Sequence, residues 1–340
     1  MGKKIRRITP SYMHLMFLFM LVFYELSAIG VGYLLRYIVK NVDENFSLNI
    51  VMSLLLSQIL IWSGLLIYML ITRRNPFVKA DFSFGSKPVK VFITVLLIPI
   101  FTFAIYPVVI FLNLLTMMFA ENAVESVNAQ FDGYSLLAQL IVMALIPAVS
   151  EELICRGALF GGLKRTGIFA AAVVSGLYFG ILHLNINQFA YATFLGIMLA
   201  LLNECTGYIY SSMLVHFLIN AFSVVVTYFS SGRMAEAAEE LAGESVQTGA
   251  QSIQALPVIT KIVALVMYGG MAVMGFALAC TMLYVIAYVN DRQGHLKAIF
   301  KKGSDNPYSD GQEKKRMVNV FFCIPVVLGL GYMIFTEYFV

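Results

Sequence analysis

The chain has 340 residues, of which 60% are hydrophobic and 12% charged, and its mean hydropathy is +0.82. Soluble domains carry about a quarter charged residues, so this composition excludes a soluble globular protein and points to the bilayer. The net charge of +4 calls for no nucleic-acid partner, because basic loops lying against anionic lipid account for it.

A helix needs about 20 apolar residues to span a bilayer. Segments that approach this length are 12–35, 48–71, 91–119, 135–163, 168–183, 189–203, 208–229, 258–289 and 318–339. The predicted fold is an all-α polytopic membrane protein, a helical bundle of about eight to nine transmembrane segments with the active site inside it. The first segment is too long for the apolar region of a cleavable signal and lacks a small-residue cleavage site, so it is expected to be a retained span. Glu25 lies alone in that span and is given no role. With the N-terminus inside and nine segments alternating, 18 of the 23 Lys and Arg residues fall on inner loops, the asymmetry that sets orientation. The expectation is a multi-pass protein of the bacterial plasma membrane with a cytoplasmic N-terminus.

The chain divides into N-terminal membrane segments (1–134), a core (135–229), an outer loop (230–257) and C-terminal membrane segments with a basic inner loop (258–340). In the outer loop, good helix formers at 234–241 precede a Gly/Ser/Gln-rich tail, which predicts one exposed helix and a flexible linker. In the inner loop, Gly303-Ser304-Asp305-Asn306-Pro307 should break any helix. Cys155, Cys205, Cys280 and Cys323 fall in or at the edge of spans without a CxxC, so no disulfide framework is expected. P-loop, GxSxG and HExxH patterns are absent.

The fourth segment holds Glu151-Glu152-Leu153-Ile154-Cys155-Arg156, two carboxylates and a guanidinium amid apolar residues. An ionised group in hydrocarbon costs at least about 2.5 kcal/mol, which marks this cluster as functional. On a helix, Glu152 and Arg156 are i and i+4 in the order that favours an ion pair. Glu151 is rotated by about 100° and lacks that partner. A free carboxylate in a low-dielectric site can serve as a general base near neutral pH.

The next two segments are about 16 residues each, below the usual spanning length. Their hairpin is expected to stop inside the protein, so that His183, Asn185 and Asn187 line a wet cavity. In the seventh segment His216 and Asn220 are i and i+4, on one helical face. Polar side chains on three nearby spans each require a buried partner, which they would find in one another.

The motifs Glu151-Glu152-x-x-x-Arg156 with Gly157-x-Leu159, Phe179-x-x-x-His183 and His216-x-x-x-Asn220, in this order, resemble the CAAX protease and bacteriocin-processing family of intramembrane proteases, also called the Abi family. The likeness covers 135–229; the rest matches only as membrane spans. Cys155 stands where the family often has an aromatic residue. The resemblance implies that Glu151 activates the attacking water with His183 assisting. It implies that His216 and Asn220 stabilise the oxyanion, where one donor is typically worth about 3 kcal/mol, and that Glu152 and Arg156 support the site. The implied substrate is a hydrophobic or lipidated peptide or protein, met within membrane lipid.

The expected mechanism needs no cofactor. Zinc is the alternative, with Glu151, His183 and His216 as its candidate ligands, since a zinc protease takes three protein ligands and an open position. A reading from another class is a non-catalytic membrane regulator or bacteriocin self-immunity protein, or a proton-coupled transporter relaying protons through Glu151 and the histidines.

Overall fold

The computed structural model describes residues 8–39, 50–79, 82, 87–120, 127, 131, 133–242, 257–301, 306–308 and 317–339. Every regular element among them is helical: α1 (Pro10–Val39), α2 (Ile50–Thr72), α3 (Pro88–Thr116), α4 (Leu136–Leu163), α5 (Ile168–Leu182), α6 (Ile186–Thr206), α7 (Tyr210–Ala242), α8 (Val258–Val289), α9 (Gln293–Ala298) and α10 (Val320–Phe339), with a 3₁₀ turn at Pro76–Lys79. Among the described residues, eight helices are long and apolar enough to cross a membrane. The protein is an all-α polytopic membrane protein.

Two boundaries differ from the sequence reading. The sixth segment is a full-length helix of 21 residues, because Asn185 caps it: its side-chain oxygen accepts from the Gln188 N–H at 3.1 Å, drawing the polar residues 186–188 into the first turn. The seventh does not end near residue 229 but continues as one helix to Ala242. The flexible tail predicted beyond it, and most of the basic inner loop, lie outside the described residues.

Much of the apolar surface is left outward, as on Leu70, Phe103 and Met274, which suits contact with lipid chains. Without a hydrophobic drive between helices, close packing must hold them together, and small residues supply it. Helix α8 buries a stripe of Ala272, Gly275, Ala279, Leu283 and Ile286, spaced by three or four residues, and lies along α3. Between α5 and α6, a Cβ on Gly196 would come within 2.7 Å of the Gly176 Cα, so the two backbones touch.

Helix α5 is the short one, 15 residues or about 22 Å. It turns back at Leu184, a non-glycine residue in the left-handed region (φ 49°), a conformation that the surrounding structure must impose. His14 fastens α1 to this hairpin: its Nε2 donates to the Met317 carbonyl at 2.9 Å and its Nδ1 accepts from the Tyr178 hydroxyl at 2.8 Å.

At the other end of α6 is a buried polar cluster. The Glu204 carboxylate, fully enclosed, accepts from His295 at 2.6 Å, Tyr308 at 2.7 Å and Arg292 at 3.1 Å, with the Lys164 ammonium at 3.8 Å. Asn306 donates to the carbonyls of Lys164 and Arg165 at 2.9 and 3.0 Å, joining the inner loop to the end of α4.

Candidate active site

Helix α4 is not a uniform α-helix. An α-helical turn, Ile146–Glu152, lies between two wider π-helical stretches, Leu140–Leu145 and Leu153–Phe160, an irregularity that recurs at functional sites. Pro147 lies in this turn and has no N–H to give the Met143 carbonyl four residues before it. The Asn220 amide supplies the missing donor at 3.3 Å.

Within the turn, adjacent residues face about 100° apart. Glu152 points into the bundle and is fully buried, its Oε1 3.0 Å from Arg156 Nη1. An unpaired charge here would be costly, and the guanidinium has two further contacts, although its Nε has no hydrogen-bond partner among the described residues. Arg156 Nη2 donates to the Gly196 carbonyl at 3.3 Å, and the guanidinium lies 4.6 Å above the Phe179 ring. That carbonyl is within reach because α5 and α6 cross on glycines.

Glu152 also engages His216, which sequence spacing did not reveal. The His216 Nδ1 lies 3.1 Å from Glu152 Oε1, and a carboxylate already paired with arginine can only accept, so Nδ1 carries the proton. This turns Nε2 toward Glu151, whose Oε2 is 3.9 Å away. Glu151 keeps 19% of its side chain exposed, against none for Glu152.

Glu151 is not without a partner, as the helical wheel alone suggested. Gln58 of α2 reaches its Oε1 at 3.4 Å. Gln58 is in turn bound to Ser150 at 2.6 Å, and Ser150 to the Trp62 indole at 2.7 Å. Gln58 and Trp62 escape a reading of the sequence because nothing in the spacing of α2 relates it to the motifs; the only signal is an amide inside an apolar span.

His183 is the residue on which α5 ends. Its Nδ1 donates to the Phe179 carbonyl at 2.9 Å, which leaves Nε2 as the acceptor of its ring. The Phe179 ring stands edge-on to both His183 and His216, at 5.0 and 5.5 Å between centroids, so the FxxxH pair spaces the two imidazoles. The structure thus brings together Glu151, Glu152, Arg156 and His216, with Phe179 between the histidines and Asn220 one turn further along α7.

Asn187 does not line a wet cavity with His183. Asn187 is fully buried, its amide donating to Asn113 at 2.9 Å and Thr116 at 3.1 Å on α3. Asn185 caps α6 and lines a cleft of about 430 Å³ with Glu25 and Tyr332. The hairpin is pinned by protein contacts because a bare amide inside a membrane protein must find partners.

Among the described residues, no three His, Cys, Asp or Glu side chains converge as ligands of a metal ion. Glu151 and His216 face each other at 3.9 Å, and among the described residues no third such side chain joins them, whereas a three-ligand zinc centre needs one.

Residues 133–222 match the family of type II CAAX prenyl endopeptidases, Rce1-like. A Bacillus subtilis (strain 168) protein named "Putative membrane peptidase YdiL" is 31% identical over 88 residues, which are 26% of this chain and 36% of that protein. The chain therefore spans about a third of the curated relative it matches. No solved structure matches the chain. The matched residues contain α4, α5, α6 and the first part of α7, the helices that carry all three motifs.

Proposed function

We propose that the chain, whose residues 133–222 match the Rce1-like type II CAAX prenyl endopeptidases, is an intramembrane endopeptidase that hydrolyses a peptide bond with water activated by Glu151. The observation that carries this reading is the 3.9 Å between Glu151 Oε2 and His216 Nε2. A water at about 2.8 Å from each fits that gap, and the partial exposure of Glu151 gives it an approach.

In this mechanism Glu151 takes one proton of the water as its oxygen attacks the scissile carbonyl carbon. His183, oriented through Nδ1, offers Nε2 as a second acceptor to the water. The negative charge moves to the carbonyl oxygen, where the His216 imidazolium, protonated on Nε2 as well as on Nδ1, and the second N–H of the Asn220 amide receive it. Glu151 then returns its proton to the leaving nitrogen as the C–N bond breaks. The Glu152–Arg156 pair touches no reacting atom and orients His216.

The proposed route uses Glu151 directly as the base, without a metal. The substrate is a hydrophobic or lipidated peptide or protein drawn from the membrane, and the N-terminus is cytoplasmic, in accord with the excess of basic residues on the inner loops. Cleavage of a peptide library by purified protein tests the reading. Wild type is expected to cleave; Glu151→Gln and His183→Ala are expected not to, at normal expression. Activity that survives exhaustive chelation, with no zinc by elemental analysis, is the expected result for the metal-free route, and loss restored only by zinc would overturn it.

A further inference from the structure

The hydrogen bonds that reach Glu151 from α2 have a direction fixed by chemistry. The Trp62 indole N–H only donates, so Ser150 Oγ accepts from it and gives its own proton to Gln58. The 2.6 Å between Ser150 Oγ and Gln58 Oε1 suits an O–H···O bond and is short for an N–H donor. The amide turned the other way would set its oxygen against the Glu151 carboxylate, acceptor against acceptor. Gln58 Nε2 must therefore face Glu151. Stacking of the Trp62 ring parallel to Phe77, at 6.5 Å between centroids, holds the start of the chain.

We infer that Gln58 is a positioning residue for the hydrolytic reaction: locked by Ser150 and Trp62, it holds one oxygen of Glu151 so that the other is presented to the attacking water. The inference rests on the reading of Glu151 as the base. It gives the N-terminal part of the chain, which the family match does not cover, a share in the active site. It also accounts for the asymmetry of the carboxylate: Oε1 receives the Gln58 donor and Oε2 faces His216.

Gln58→Met keeps the length of the side chain and removes the amide. Its kcat on a quenched-fluorescent peptide library should fall about 10- to 100-fold, the range of one hydrogen bond to a charged group, with KM within about twofold. Glu151 should also react faster with dicyclohexylcarbodiimide, followed by mass spectrometry, because that reagent attacks the protonated acid and the donor that favours the anion is gone. Trp62 is the only tryptophan of the chain, and its emission should stay as in wild type, since its bond to Ser150 remains.

Ser150→Ala breaks the chain one link earlier and serves the same test should Gln58→Met fail to fold. Its kcat should fall comparably with a shifted Trp62 emission, and the double variant should be no worse than the poorer single one. Losses that multiply, or unchanged carbodiimide labelling in Gln58→Met, would overturn the inference. Glu151→Gln separates the two readings. If it stays active the base assignment fails, while labelling still reports whether Gln58 holds the carboxylate. If it is inactive and Gln58→Met keeps wild-type kcat, the positioning role alone fails.

Discussion

Glu151 and Glu204 each have a histidine partner but opposite surroundings. Each is a carboxylate within a span. Glu204 is enclosed and receives His295, Tyr308 and Arg292 within 3.1 Å, with Lys164 beyond. Glu151 receives one donor on one oxygen, faces His216 across 3.9 Å with the other, and stays open. All three donors fall on Glu204 Oε1, and Oε2 has no hydrogen bond among the described residues, only the Lys164 ammonium at 3.8 Å. Enclosed by protein, this carboxylate is closed to water and ties elements together. Glu151, oriented on one oxygen and 19% exposed, is within reach of water and can take a proton. What distinguishes the reactive group from the structural one is access.

Substituting each carboxylate by its amide puts this contrast to the largest test. Glu151→Gln should lower kcat by about 10²–10⁴-fold, the contribution of a general base, with unchanged Tm. Glu204→Gln should do the reverse: it leaves three basic groups without their counter-charge, about 3–5 kcal/mol for an interrupted buried ion pair. Its Tm and yield should fall while the folded fraction keeps its kcat. Thermal melts beside single-turnover kinetics check both, and a Glu204 variant that is stable but inactive would erase the distinction.

Glu152 belongs to both kinds of site, which makes it the next test. Glu152→Ala strands a fully buried Arg156 and should cost about 3–5 kcal/mol. The double variant Glu152→Leu, Arg156→Met should regain much of that stability, because apolar residues can replace a buried pair. Activity should not return with it, since His216 has lost the acceptor at 3.1 Å that turns its Nε2 toward Glu151. Recovery of both together would mean that the pair serves packing alone. A smaller effect is expected at Gly180, where an added Cβ would overlap the Thr193 hydroxyl and the Phe189 carbonyl. Gly180→Ala should cost about 1–3 kcal/mol by overpacking and lower kcat by displacing His183, three residues on.

These contrasts also show what the sequence could disclose. Polar residues at i and i+4 inside apolar runs, such as Glu152 with Arg156 and His216 with Asn220, announce themselves because the bilayer makes them expensive. The bundle was legible for the same reason, down to the short fifth segment. Gln58 and Trp62 were not, since their meaning lies in the packing of α2 on α4 and in the direction of hydrogen bonds, neither of which has a sequence period. Glu204 passed unnoticed because its partners Arg292, His295 and Tyr308 sit roughly 90 to 100 residues further on, in what reads as a solvated basic loop. The sixth helix was drawn too short because the polar Asn187 and Gln188 look like a connector until Asn187 is seen bonded to Asn113 and Thr116.

The smallest effect is expected at an ion pair outside the spans. Asp291, just past α8, is paired with Lys90 of α3 and is largely exposed. The Lys90 hydrogen bond and charge hold its carboxyl below the usual carboxylate range. A depressed folded-state pKa contributes stability above the unfolded value, near 3.9, and loses it as pH falls through the folded value. Asp291→Asn should thus leave Tm at pH 7 nearly unchanged, because solvent screens an exposed pair, and should remove only a weak acid-limb dependence below about pH 4. Melts of both proteins from pH 3 to 7 check this. If Asp291→Asn lowered Tm at pH 7 as much as Glu204→Gln does, burial would not be what separates a carboxylate that holds the fold from one that merely decorates it.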